Sequence, residues 1–124
     1  MPNAKILLIE DDLVLLQTMG HVLKWNEFDV QLSGDGEEGL ETALSWQPDL
    51  ILLDLVLPGM DGFEVLAKLK ASPATRDIPV VVITGYAGEQ SARRAEALGA
   101  AAYLPKPMRA QELVRKVEAW LGRE

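Results

Sequence analysis

Short runs that are apolar at nearly every position alternate along the chain with stretches whose apolar residues recur every three or four positions. The runs are residues 6–9, 28–32, 50–53, 79–83 and 101–104, several of them nearly continuous. A strand with one wet face alternates apolar and polar side chains. Runs of Val, Ile and Leu without alternation predict strands covered on both faces, as in a parallel sheet. The intervening segments predict helices. Residues 13–25 carry Leu16, Met19 and Leu23; 36–47 carry Leu40, Ala43 and Leu44; 63–69 carry Phe63, Leu66 and Leu69. Residues 88–98 are alanine-rich, with Arg93, Arg94 and Glu96 as a solvent face, and 109–121 carry Leu113, Val117 and Leu121. Gly99 reads as a helix stop, and Pro48 and Pro58 punctuate loops.

Five strand–helix units in succession imply a parallel sheet with right-handed crossovers. The second run, "FDVQL", alternates, and the fifth, "AAYL", is short, so both suit sheet edges. The expected architecture is α/β: a three-layer αβα, doubly wound (βα)5 sheet of the flavodoxin-like class, strand order 2-1-3-4-5.

Composition narrows this only a little. The chain has 124 residues, 48% hydrophobic and 25% charged, the size and mix of one globular domain. It contains no cysteine, which excludes thiolate chemistry. No apolar run approaches the ~18 residues of a membrane span, and a cytoplasmic location is expected. The net charge of -7 argues against direct nucleic-acid binding through phosphates.

In an open parallel sheet, ligands bind beyond the carboxyl ends of the strands. The first run ends in Glu10, Asp11 and Asp12, the third in Asp54, the fourth in Thr84 and Gly85, and the fifth in Pro105, Lys106 and Pro107. Two carboxylates about 4 Å apart repel by roughly 4 kcal/mol at an effective dielectric of about 20, so a positive group is expected among the acids. With neighbouring strands about 4.8 Å apart, Lys106 starts roughly 10 Å from Asp54, within reach of a long side chain. Oxygen ligands without sulfur suit a hard cation, Mg2+ with Mn2+ as a substitute. Asp12 stands where the first helix begins and reads as its N-cap. A carboxylate beside a cation, a hydroxyl and an ammonium can accept a phosphoryl group.

The stretches "ILLIEDD", "PDLILLDLVLPGMDG", "IPVVVITG" and "GAAAYLPKP" occur in an order and spacing that resembles the receiver domain of two-component response regulators, over nearly the whole chain. The resemblance implies that Asp54 is the phosphoacceptor. It implies metal ligation by Asp11, by Glu10 through water, by Asp54 and by the Val56 carbonyl, with Thr84 and Lys106 holding the phosphoryl oxygens. Tyr103 matches the family's switch aromatic, coupled to Thr84. The Lys106–Pro107 bond is commonly cis in such proteins. The donor would be a histidine kinase or histidine phosphotransfer protein. Self-catalysed phosphorylation and dephosphorylation would be the only reactions, and the surface of the fourth helix, fifth strand and fifth helix would carry the change to an unknown downstream target.

Some positions depart from the family pattern. Met108 stands where an aromatic often follows Lys-Pro, and "GAAAYL" lacks an acidic pair common in regulators that dimerise there. Val56 and Tyr86 occupy positions that vary in the family; their bulk is expected to hinder attacking water and lengthen the phosphoryl lifetime. Asp61 and Gly62 read as a loop turn and helix cap, His21 as a surface residue, and Trp25, Trp46 and Trp120 as packing residues near helix ends. Residues 1–124 read as a single receiver domain without an effector domain, either free-standing or cut from a larger regulator. Two other readings stay open: a Mg2+-dependent aspartyl-phosphate phosphatase, disfavoured by apolar Leu55 and Val56 where a second acid is needed, and a phosphorylation-independent interaction domain.

Overall fold

The apolar runs form one parallel sheet in the computed structural model, which describes residues 3–85, 88–106 and 108–122. Its strands are β1 (Lys5–Ile9), β2 (Asp29–Ser33), β3 (Leu50–Leu53), β4 (Val80–Thr84) and β5 (Ala102–Pro105), in the order β2-β1-β3-β4-β5. The crossovers are α1 (Leu13–Trp25), α2 (Gly36–Trp46), α3 (Gly62–Ala71), α4 (Glu89–Ala97) and α5 (Ala110–Trp120). Every residue of β3 and β4 is buried, whereas β2 alternates, as a central and an edge strand should.

Alternation of side chains across the sheet divides the core in two. Leu7, Ile9, Ile51, Leu53, Val80 and Val82 pack under α2, α3 and α4. Ile6, Leu8, Leu50, Leu52, Val81 and Ile83 pack under α1 and α5. The starts of α1, α2 and α3 are capped: Asp12, Asp35 and Asp61 accept from the N–H groups of Leu15, Glu38 and Glu64. Gly99 ends the α4 turn at a φ of +104°, a conformation that favours glycine. Among the described residues, no helix is long and apolar enough to cross a membrane.

Three expectations are corrected. Leu44 does not join the core stripe of α2; it is 52% exposed. The buried line of that helix is Gly36, Gly39 and Ala43. Leu44 lies one residue, about 100°, around the helix from Ala43 and off that line, which rests on Ile9 at Gly39. Trp25 is not a packing residue but 85% exposed, because it lies two residues, about 200°, around α1 from buried Leu23. Trp120, at the last turn of α5, is also exposed, whereas Trp46 packs against the core and under the Lys5 ammonium. Strand edges shift by a residue. β4 begins at Val80, since Pro79 has no N–H for the ladder, though its carbonyl still accepts from Ile51.

Candidate functional site

Three backbone hydrogen bonds carry the sheet one residue past its strands and fix the site. The Glu10 N–H donates to Ser33 O at 3.0 Å, the Asp54 N–H to Ile9 O at 3.0 Å, and the Lys106 N–H to Thr84 O at 2.9 Å. Ile9 stands beside Leu53 in the β1–β3 register, so Glu10 and Asp54 leave adjacent strands at the same height. Lys106 reaches them from the sheet edge. Its Nζ donates to Glu10 Oε1 at 2.7 Å and to Asp54 Oδ2 at 2.9 Å. Lys106 thus supplies one positive group among the clustered acids, and the lateral reach inferred from strand spacing is realised.

Burial sets the electrostatics. Glu10 is 2% exposed and Asp54 7%, and the cleft between them is walled by Leu8, Met19, Leu53 and Ile83. Burial, and then the interaction with the Asp54 carboxyl, push Glu10 up to about 8 against the pull of Lys106. Burial presses Asp54 upward too. There the interactions with Glu10 and Lys106, the Val56 N–H and the lysine charge outweigh it, and its pKa falls below the ordinary carboxylate value. Burial disfavours the Lys106 ammonium, but its two acid partners more than compensate and raise its pKa. Burial thus opposes ionisation of Glu10, whereas the lysine and the Val56 N–H favour it at Asp54.

Asp11 is exposed, and one carboxylate oxygen each from Glu10, Asp11 and Asp54 lies within 4.8 Å of the others. Glu10 Oε2 is buried without a hydrogen-bond partner. Oxygen-only donors with an unused buried acceptor fit a hard divalent cation. Asp12 is turned away into its helix cap. The Val56 N–H donates to Asp54 Oδ1 at 3.2 Å, while the Val56 side chain, 51% exposed, stands open beside the cleft.

Thr84 is buried at the end of β4, and Tyr103, half-buried on β5, pairs in register with Val82. Burial raises the Tyr103 phenol, and a hydrogen bond with Ser91 of α4 works the other way. Tyr86 and the Lys106–Pro107 bond lie outside the described residues. Sequence reasoning missed Met19 as a wall of the cleft, Ser91 as the partner of Tyr103, and a cation–π contact of Arg94 with Phe63. Periodicity places such residues on a helix face and carries no signal for a partner on another element.

A sequence profile of the response regulator receiver domain matches residues 6–118. The chain belongs to the response regulator receiver family. The receiver is 39% identical over 119 residues to the DNA-binding dual master transcriptional regulator RpaA of Synechocystis sp., covering 96% of this chain and 49% of that protein. It is 37% identical over 119 residues to the cell cycle response regulator CtrA of Brucella ovis, covering 96% and 50%. The receiver thus spans about half the length of the curated relatives it matches. Among solved structures, a CheY-like receiver domain protein from Methanospirillum hungatei superposes with a TM-score of 0.91 at 28% identity, over 97% of this chain and 94% of the other. The receiver domain of the sensor histidine kinase PA1611 from Pseudomonas aeruginosa, which holds a magnesium ion in its active-site cleft, superposes with a TM-score of 0.88 at 29% identity, over 97% and 98%.

Proposed function

We propose that residues 1–124 act as one phosphoacceptor receiver domain of a phosphorelay, taking a phosphoryl group onto Asp54 from the phosphohistidine of a histidine kinase or phosphotransfer protein. The observation that carries this reading is the setting of Asp54. It is a buried, ionised carboxylate with the Lys106 ammonium at 2.9 Å and two further acids within 4.8 Å. Glu10, Asp11, Asp54 and the Val56 carbonyl would hold Mg2+, which when bound supplies positive charge to the phosphoryl oxygens.

The chain's own groups do the rest. Asp54 supplies the nucleophile: its low pKa keeps it ionised, and the Val56 N–H on Oδ1 fixes the carboxylate plane. An oxygen of Asp54 forms the new bond to phosphorus as the bond to the donor imidazole breaks, and the imidazole leaves with that electron pair. Lys106 and the Thr84 hydroxyl take the phosphoryl oxygens. Thr84 moves toward the phosphoryl, Tyr103 follows, and the population shifts between two arrangements of α4, β5 and α5 to control a partner. Val56 and Tyr86 govern how fast water reaches the acyl phosphate. The site catalyses its own acceptance and loss of phosphoryl and is not a turnover enzyme.

Intact mass after incubation with acetyl phosphate and Mg2+ tests the reading. A single phosphoryl adduct is expected, absent without metal and absent in Asp54→Asn. An adduct that survives Asp54→Asn would refute it. Release of many phosphates per chain from small esters would favour an aspartyl phosphatase instead.

A further inference from the structure

We propose that Arg94 of α4, stacked on Phe63 of α3, is a latch that holds the unphosphorylated arrangement and opposes the switch. The proposal rests on the phosphoacceptor reading above. The Arg94 guanidinium carbon lies 4.1 Å from the centre of the Phe63 ring, within cation–π range. Neighbouring Arg93 is tied within its own helix to Glu89 at 2.9 Å. Arg94 makes no ion pair among the described residues, so the ring is what holds it.

The two ends of the contact sit on helices anchored to very different degrees. α3 is fixed to the acceptor. Gly62, next to Phe63, lies so close to the sheet that a Cβ there would fall 2.3 Å from Leu55 Cα and 2.5 Å from Asp54 O. The Gly62 N–H also donates to Leu55 O at 2.9 Å, Asp61 caps the helix, and Val65, Leu66 and Leu69 are buried beneath it. α4 has far less to hold it. Ala95 is its one buried residue, and Gly88 gives its start no side-chain cap. It begins at Glu89, five residues after Thr84, the residue drawn toward a phosphoryl group. A cavity of about 400 Å³ lies between the acceptor loop and α4, lined by Leu55, Val56, Leu57, Phe63, Ser91 and Arg94. α4 therefore has space to move into, and Arg94–Phe63 bridges that space from the fixed side to the mobile one. A shift of α4 by a few ångströms breaks the stack. The contact thus adds a cost to switching that is separate from the Thr84–Tyr103 route.

Beryllofluoride with Mg2+, a stand-in for the phosphoryl group, reads the switch without a donor protein. Its affinity is measured by calorimetry and amide NMR for the wild-type chain, Arg94→Ala, Arg94→Lys, Phe63→Leu and the Arg94→Ala/Phe63→Leu pair, and each is also unfolded in urea. Arg94→Ala and Phe63→Leu are each expected to bind about two- to fivefold more tightly than wild type, with Arg94→Lys between. The double variant should gain no more than either single one, because both remove the same contact. The stability cycle should show coupling between the two positions. Wild-type affinity in both single variants, weaker binding in them, or a double variant equal to the product of the singles would each overturn the latch. A wild-type chain that binds no beryllofluoride would overturn the phosphoacceptor reading and the latch with it. Equal binding by all variants would overturn the latch alone.

Discussion

Glu10 is held where its charge is least welcome. Its folded-state pKa near 8, against an ordinary 4.5, means that the unfolded chain gives up this proton first as pH rises. Stability from Glu10 is therefore complete below about pH 4.5 and is lost as pH climbs toward 8, with a slope of up to ~1.4 kcal/mol per pH unit. Asp54 acts in a separate window: its pKa is lowered from 3.8, so its contribution is present above that value and is lost only in stronger acid. Urea unfolding of metal-free protein at about pH 5 and about pH 8 should show the fall, and Glu10→Gln should flatten it. Equal slopes in the two proteins would contradict the burial argument. The acids, Thr84 and Lys106 were legible in the sequence because each follows an apolar strand, and strand spacing told which could meet. That Lys106 would bridge Glu10 and Asp54, leaving Asp11 exposed, was not. It depends on the direction in which each side chain leaves its strand end.

α3 shows what a helix start contributes to a site. Asp61 as N-cap could be read from its place before a helical period, but Gly62 was taken as part of the same turn. The structure gives it a steric role, since its α-carbon rests on the backbone of Asp54 and Leu55. Gly62→Ala should destabilise the chain by about 1–3 kcal/mol or more, because the atoms it meets are backbone and cannot swing aside. Gly34→Ala, where a Cβ would meet nothing within 4 Å, serves as the control and should stay within about 0.5 kcal/mol. Chemical denaturation of both decides the matter: a Gly62 variant as stable as the control would mean that α3 can lift off without loss. α2 teaches the related point. A period of three and four placed Leu40, Ala43 and Leu44 on one face, yet the buried line runs through Gly36, Gly39 and Ala43 and leaves Leu44 in water.

On the scale of the molecule, the chemistry and the tryptophans occupy opposite ends of the sheet. Trp25, Trp46 and Trp120 each end a helix that runs back toward the strand starts, and the Lys5 ammonium at the head of β1 donates to Trp46 O at 2.6 Å. Addition of Mg2+ alone should leave tryptophan emission unchanged, while acrylamide should quench it efficiently through exposed Trp25. A large Mg2+-dependent change would mean that metal binding reorganises the far end of the fold. By itself the sequence determined the alternation of strands and helices, the strand order, the caps and the set of polar residues at one edge, because these follow from local periodicity, from the chemistry of single residues and from the handedness of crossovers. The tertiary structure alone decided which carboxyls are buried against Lys106, how closely α2 and α3 approach the sheet, and which residue of α4 touches α3. Those depend on burial and on distances between segments far apart in the chain, and no local pattern encodes them.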